Sequence, residues 1–522
     1  MLTDTVSDVV DDRAERPRRR ERREVVNNSA AAQSSAGAPP AAAPSPSLLT
    51  HPARIRVRTR AARPACRLTP KRTTPREGSR ISPVQPRQVK AERRQSSRTA
   101  TTNRKISYKM PAWEDYQHYA GLDWASDHHD LVIVSRAGRV ESCLRLDHDA
   151  AGWARAREVL TQFGLPPVAV ETNQGTVIEL LLASGSTVYP VTPLSAKRYR
   201  ERKAPSGVKD DQLDAWSLAD ALRVDGHGWK PLAPEDPLVA ELRLICRDEI
   251  ALIEQRTALV NGLRAALREY YPAALQAFED WTREATWQFV LQFPTPAELV
   301  KAGRRRWEKF LHVHRLWRPG TAEARLALFA DALSFCGGPA LTKAKSLQAV
   351  SLCKVLLTLE AQLRLYRARI EELFAEHPDH DLFGSLPGAG GKLAPRLLAE
   401  IGQDRDRFEE ANALQCYAGT APVTVRSGKV IDHRFRRAAN PVLRASVHLW
   451  VDLSRKQCGW AQAYYQAHRA KGQSHACALR CLGQRWLKIL WKMWQTKSPY
   501  DEALHTRNQT KHGSWVLQFQ PA

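Results

Sequence analysis

Four carboxylates stand where a charge is either costly or paired. Asp123 interrupts the apolar run AGLDWA. In a buried strand an ionised side chain carries a desolvation cost unless something compensates it. Glu171 ends the short apolar run PPVAVE, and Asp211 and Asp214 are three apart in KDDQLDAWSLAD, which places both on one helix face. Asp210 is an alternative to Asp211, and the spacing to Asp214 selects Asp211. Such a set suits metal-dependent phosphoryl transfer, in which two Mg²⁺ ions roughly 3.5–4 Å apart serve the attacking and leaving oxygens. Mg²⁺, with Mn²⁺ as a substitute, prefers hard carboxylate oxygens and keeps some of its water. Taken singly, each residue has an ordinary reading: a solvated helix acid for Asp211 or Asp214, a helix N-terminal acid for Glu171, an arginine partner for Asp123. The run Asp127-His128-His129-Asp130 imitates a metal motif, but successive ligands rarely build a tetrahedral site, and it is expected to be a solvated turn.

A second constellation lies near the C-terminus. Leu386-Pro387-Gly388-Ala389-Gly390 precedes KLAPRLLAEIG. This resembles a helix-hairpin-helix turn, whose free amides at Gly388 and Gly390 would accept a phosphate. A nucleotide-binding P-loop fails here, because Ser385 and Leu393 occupy two of its required positions. Ser427 then sits in Arg426-Ser427-Gly428-Lys429, followed by Arg434, Arg436, Arg437 and Arg444. A serine hydroxyl is a poor nucleophile without an activating base or metal, so chemistry alone reads Ser427 as a turn serine. The arginines read as a phosphate-binding surface, and Lys209, beside the Asp pair, belongs with them. In QRWLKILWKMW the residues Trp486, Leu490, Met493 and Trp494 share helical spacing and read as core.

The elements that must position these groups follow from periodicity. From His118 the order is three strands, a helix, a strand, a helix, a strand and a helix, which is that of an RNase H-like α/β domain over 113–232. Residues 233–378 read as a helical linker. Ile245, Leu252, Leu259 and Ala266 recur every seven residues, and Leu352, Leu356, Leu359, Leu363, Tyr366, Ile370 and Leu373 alternate four and three apart. Such a seam suits either an intramolecular helical hairpin or a dimerising coiled coil. Residues 379–505 form a mostly helical C-terminal DNA-binding domain, and 506–522 a tail.

Charge narrows the partner. The 522 residues carry a formal net charge of +24, which favours nucleic acid over other partners. Residues 1–109 hold 25 Lys+Arg against 9 Asp+Glu, a net of +16, leaving +8 for the remaining 413. That front segment, assigned to 1–112 as a domain, is rich in Arg, Pro and Ser and reads as disordered. It is either a nucleic-acid-binding arm or sequence upstream of a native start at Met110. Nine cysteines without a CxxC pair exclude a disulfide scaffold and point to a reduced, cytoplasmic protein. No apolar run is long enough for a membrane span, so no membrane partner is expected.

Together, GLDWASDHHD, VAVET, VYPVTPLSAKRYRERKAPSGVKDDQLDA, SLPGAGGKLAPRLLAEIG and YAGTAPVTVRSGK resemble the DEDD transposases of bacterial insertion sequences, which include the pilin-inverting recombinases. The resemblance covers about residues 116–505. It implies a RuvC-like domain whose tetrad, here Asp123, Glu171, Asp211 and Asp214, binds Mg²⁺, and a linker that assembles dimers or tetramers. It also implies a C-terminal nucleophilic serine, which maps to Ser427 and reverses the chemical reading above. The implied reaction is cutting and rejoining of donor and target DNA through a phosphoserine, guided by a structured RNA encoded by the element, on the nucleoid. Two alternatives are a RuvC-like structure-specific nuclease without serine chemistry and a non-enzymatic nucleic-acid-binding protein. Two departures from the family are Glu171-Thr172-Asn173-Gln174-Gly175, where a Thr-Gly step is common, and the long front segment.

Overall fold

Strand β1 (His118–Trp124) alternates in the way a sheet between two helical layers requires. Ala120 and Leu122 point to one layer, while Tyr119, Gly121 and Asp123 point to the other. The computed structural model describes residues 112–206, 210–333 and 336–515. The expected front segment and Lys209 lie outside the described residues. β1 pairs antiparallel with β2 (His128–Ser135), which pairs antiparallel with β3 (Val140–Asp147). After α1 (Ala150–Gln162), β4 (Val168–Val170) lies parallel to β1. After α2 (Thr176–Ala183), β5 (Val188–Pro190) lies parallel to β4. The sheet order is therefore β3-β2-β1-β4-β5. Helices α1 and α2 cover one face. The other takes α4 (Asp211–Asp225), which follows α3 (Pro193–Lys203).

The expected turn at Asp127–Asp130 is corrected. Only Ser126 and Asp127 make the exposed turn, and β2 starts at His128, with His129 and Asp130 buried. His129 is stacked on Trp124 across the strand pair, and its Nδ1 accepts the Ala125 N–H at 3.3 Å. Asp130 is held by Arg145 through two hydrogen bonds of 2.8 and 3.1 Å. Polar residues that look like a turn in sequence are here compensated by partners from another strand.

Two long helices follow, α5 (Pro237–Tyr270) and, later, α10 (Pro339–Glu376). They run antiparallel, as the pairs Glu249–Arg367, Arg256–Glu360 and Glu269–Lys345 show. Leu356, Leu363, Ile370 and Leu373 of the heptad seam are buried inside the chain. The seam thus forms the intramolecular hairpin of the two expected readings. Between the long helices, α6 (Pro272–Ala277), α7 (Glu284–Gln292), α8 (Pro296–Val313) and α9 (Thr321–Asp331) close around a core that they share with Leu263, Leu267, Cys353 and Leu356 of the long helices, built on Tyr271, Trp287, Phe289, Trp307, Phe310 and Phe329.

The C-terminal part comprises α11 (His380–Gly384), α12 (Gly390–Ile401), α13 (Ala411–Tyr417), the hairpin β6 (Val423–Ser427) with β7 (Val430–Arg434), α14 (Pro441–Ser454), α15 (Gly459–Ala470), α16 (His475–Thr496) and α17 (Glu502–Lys511). Trp486, Leu490, Met493 and Trp494 are buried in its core as expected. The tail boundary at 506 falls inside α17, and the His505 ring lies 4.6 Å from that of Trp460. Among the described residues no helix is long and apolar enough to cross a membrane.

Candidate active site

The acidic tetrad converges because of one glycine and one strand pairing. Leu122 of β1 is in register with Val170 of β4, so Asp123 and Glu171, each the next residue, leave the two central strands side by side. Helix α4 crosses β1 at Gly121. A Cβ there would overlap the carbonyl oxygen of Ala215 and lie 2.5 Å from the Ala219 nitrogen. Only glycine permits this approach, which brings the first turn of α4, carrying Asp211 and Asp214, against the end of β1. One cleft of about 390 Å³ is lined by Asp123, Glu171, Asp211 and Asp214, together with Trp124, Lys197 and Arg200. Asp210 precedes the helix and does not line the cleft, which favours Asp211 as the third carboxylate.

The electrostatics reflect burial first and crowded like charges second. Burial, and after it the charges of Asp214, Asp211 and Glu171, push Asp123 up from 3.8 to about 6. Asp214 is bidentate with Arg200, both contacts measuring 2.7 Å. Asp211 is half exposed and lies 3.5 Å from His128 Nε2 and 3.8 Å from Arg145. His128, Asp130 and Asp211 form a cluster whose ligand atoms fall within 4.8 Å of one another. Arg145 already occupies both Asp130 oxygens, so this cluster buttresses Asp211. The tetrad is an oxygen-only donor set, the kind that hard divalent cations select.

Sequence reasoning missed Lys197 and Arg200. Their i, i+3 spacing on α3 was a usable signal: both meet the cleft along one helix face. Arg247 was missed as well. Its guanidinium forks onto Glu400, at 2.8 and 2.9 Å, and its Nη1 donates to Gln174 Oε1 at 2.6 Å, three residues beyond Glu171. Glu400 is 3% exposed and also accepts from Asn440 Nδ2, at 2.6 Å.

The C-terminal residues are differently placed. Ser427 closes β6 at the tip of an exposed hairpin whose two-residue turn is Gly428-Lys429. Ser427 does not line the acidic cleft. Arg426, Lys429 and Arg437 are exposed. Arg434 pairs with Asp432 at 2.8 Å, and Arg436 donates to the carbonyls of Ala421 and Pro422, so the latter also holds the hairpin base. Gly388 has a packing role: with φ +78, its Cα abuts the end of α14, where a Cβ would lie 2.5 Å from the Ser454 nitrogen. The Gly388 N–H donates to Gln457 Oε1 at 2.7 Å and so is engaged within the chain. Gly390 is exposed at the start of α12.

Comparison with known proteins agrees with this layout. Residues 120–272 match a transposase family, the DEDD transposases of IS110, and residues 380–466 match the transposase IS116/IS110/IS902 family. The chain is 35% identical over 413 residues to the protein named for the mini-circle transposase of IS117 in Streptomyces coelicolor, covering 75% of this chain and 97% of the relative. It is 28% identical over 407 residues to the 42 kDa protein of insertion element IS900 from Mycobacterium paratuberculosis, covering 76% and 99%. It is 27% identical over 393 residues to the 44.8 kDa protein of IS116 from Streptomyces clavuligerus, covering 74% and 96%. The chain belongs to the IS110/IS116 family of insertion-sequence transposases.

Proposed function

We propose that this transposase cuts and rejoins DNA by metal-dependent phosphoryl transfer in an RNase H-like, RuvC-like domain, with Ser427 as the nucleophile. The observation that carries the reading is the convergence of Asp123, Glu171, Asp211 and Asp214 in one cleft. The rise of Asp123 to about 6 supports it, because such crowding of carboxylates is costly until a cation compensates it. These four residues would hold Mg²⁺, or Mn²⁺ in its place. When bound, the metal supplies Lewis-acid stabilisation of the oxygens around phosphorus. Lys197 and Arg200 line the same cleft and offer cations to a phosphate. Arg200 would exchange Asp214 for it.

Ser427 would be delivered to the cleft from its exposed hairpin, in the same chain or in a second copy of a dimer or tetramer. Its Oγ bonds to the scissile phosphorus as a DNA oxygen leaves, and the reverse attack by a DNA hydroxyl reseals the strand and frees the serine. Exposed Arg426, Lys429 and Arg437, with Arg434, Arg436 and the Gly390 turn, are the proposed nucleic-acid contacts, and Lys209, outside the described residues, is proposed as a further one. The family resemblance further supports guidance by a structured, element-encoded RNA and action on the nucleoid. If so, protein purified from cells carrying the element retains nucleic acid that ribonuclease removes.

The deciding experiment expresses the protein with its native flanking DNA as wild type, Asp214→Ala and Ser427→Ala. Recombination and a covalent protein–DNA adduct on a denaturing gel are expected for wild type only. Cleavage by Ser427→Ala without any adduct would replace the serine mechanism with that of a structure-specific nuclease using water. Unimpaired recombination by Asp214→Ala would overturn the metal site.

A further inference from the structure

The helical body at the far end of the α5–α10 hairpin carries a surface that the cleft does not explain. In α8, beyond the kink at Gly303, Trp307, Phe310 and Leu311 face the core at i, i+3 and i+4 spacing. Arg305, Lys309 and His312 form an exposed stripe on the opposite side, with Arg306 beside them. Residues 296–318 contain seven Lys and Arg against two Glu, a net of +5, while the whole 413-residue stretch from Met110 has a net of only +8.

The two acids do not neutralise the stripe. Glu308 is taken by Arg304, which also reaches Glu323, and Glu298 lies 3.3 Å from the Thr295 hydroxyl. Arg305, Arg306, Lys309, Arg315 and Arg318 make no ion pair among the described residues. On the hairpin, Arg256, Lys345, Arg367 and Arg369 have carboxylate partners, while the exposed Arg264, Arg268, Lys343 and Lys354 stand singly and do not share one stripe with an aromatic ring. Crowding unpaired cations on one helix face is destabilising in isolation. An exposed ring, Trp317, is stacked on His312 at 5.0 Å beside them.

We propose that this surface binds the phosphate backbone of duplex DNA flanking the point of strand exchange. The proposal rests on the reading that the cleft acts on DNA. From Arg247, which touches the loop after Glu171, to Tyr270 at the far end of α5 is about 35 Å along the helix. That length is close to one turn of B-form DNA, about 34–36 Å. Helix α5 therefore separates its cleft end from the body that carries the stripe by about one duplex turn. The stripe presents exposed long-chain cations, which suit backbone contact without base readout.

The test compares the full-length protein with the triple variant Arg305→Ala/Arg306→Ala/Lys309→Ala, titrating salt against a fluorescent duplex carrying the element end. A pair of exposed cations on α10, changed as Lys343→Ala/Lys354→Ala, serves as control. Each lost phosphate contact lowers the slope of log affinity against log salt by about 0.9. Loss of three therefore lowers it by about 2.7, an affinity gap that changes about 40-fold between about 50 and 200 mM salt. The control should keep the wild-type slope, and Arg305→Lys/Arg306→Lys, which keeps both charges, should keep it as well. Thermal unfolding should show no loss of stability in any variant, since the substituted side chains are exposed and removing crowded cations relieves repulsion. An unchanged duplex slope in the triple variant overturns the proposal, as does a slope that falls for a structured RNA but not for the duplex. Asp214→Ala separates the two readings: it tests the cleft through strand exchange, while the salt slope tests the stripe alone.

Discussion

Replacing Asp123 by Asn should make the protein more stable when metal is withheld, although it removes a proposed ligand. Asp123 is an acid whose value in the fold, about 6, exceeds its ordinary 3.8. Its protonated form is favoured by folding, so its contribution to stability is full below pH about 4 and is lost as pH rises through 6. A rise from 3.8 to about 6 corresponds to about 3 kcal/mol. Asp123 is only partly buried, and solvent screening reduces that to about 1–2 kcal/mol. In EDTA at pH 8, Asp123→Asn should gain this amount, a rise in Tm of about 1–2 °C for a folded body of about 400 residues. At pH 4 the two proteins should unfold alike. With millimolar Mg²⁺ or Mn²⁺ the order should reverse, because ligand binding stabilises only the protein that retains the full site. Calorimetry across this pH range with and without metal checks each step. An Asn variant less stable than wild type in EDTA at pH 8 would refute the account of a carboxylate ionised at a cost of burial and neighbouring charge.

Three further outcomes are expected. Gly121→Ala should cost about 1–3 kcal/mol in urea unfolding and abolish strand exchange, because the added methyl group forces α4 and its two aspartates off β1. Arg247→Ala should cost about 3–5 kcal/mol by stranding buried Glu400, and adding Glu400→Gln should recover part of the loss in a double-mutant cycle. His448, pushed down to about 4 by burial and by the neighbouring His475 and Arg480, is favoured neutral by the fold. Stability should therefore be full above pH about 6.5 and fall by about 3 kcal/mol as pH drops towards 4, a dependence that His448→Gln should flatten in acid-unfolding curves.

Much of the site was readable in one dimension because it rests on local periodicity. The alternation in HYAGLDW places Asp123 opposite Leu122, and the i, i+3 pair on α4 shares a face in any helix. The partners that tune the site come from other elements. Arg200 reaches Asp214 from α3, and Arg145 reaches Asp130 from β3, contacts that no spacing rule encodes. His129 and Asp130 looked like turn residues for the same reason: their burial is compensated by Trp124, His148 and Arg145, all distant in sequence or on another strand. The separate core between α5 and α10 was hidden because α6 to α9 are short, and their aromatics meet only after the long helices have returned the chain on itself.

The Arg247 guanidinium, carried on α5, holds two other segments at once: the loop behind Glu171 through Gln174, and α12 through Glu400, whose carboxylate also accepts from Asn440 at the start of α14. A guanidinium held this way has few intermediate positions, since tilting it away from one partner misaligns it with the others. Movement of the C-terminal domain would therefore be transmitted to the cleft as a snap rather than a slide.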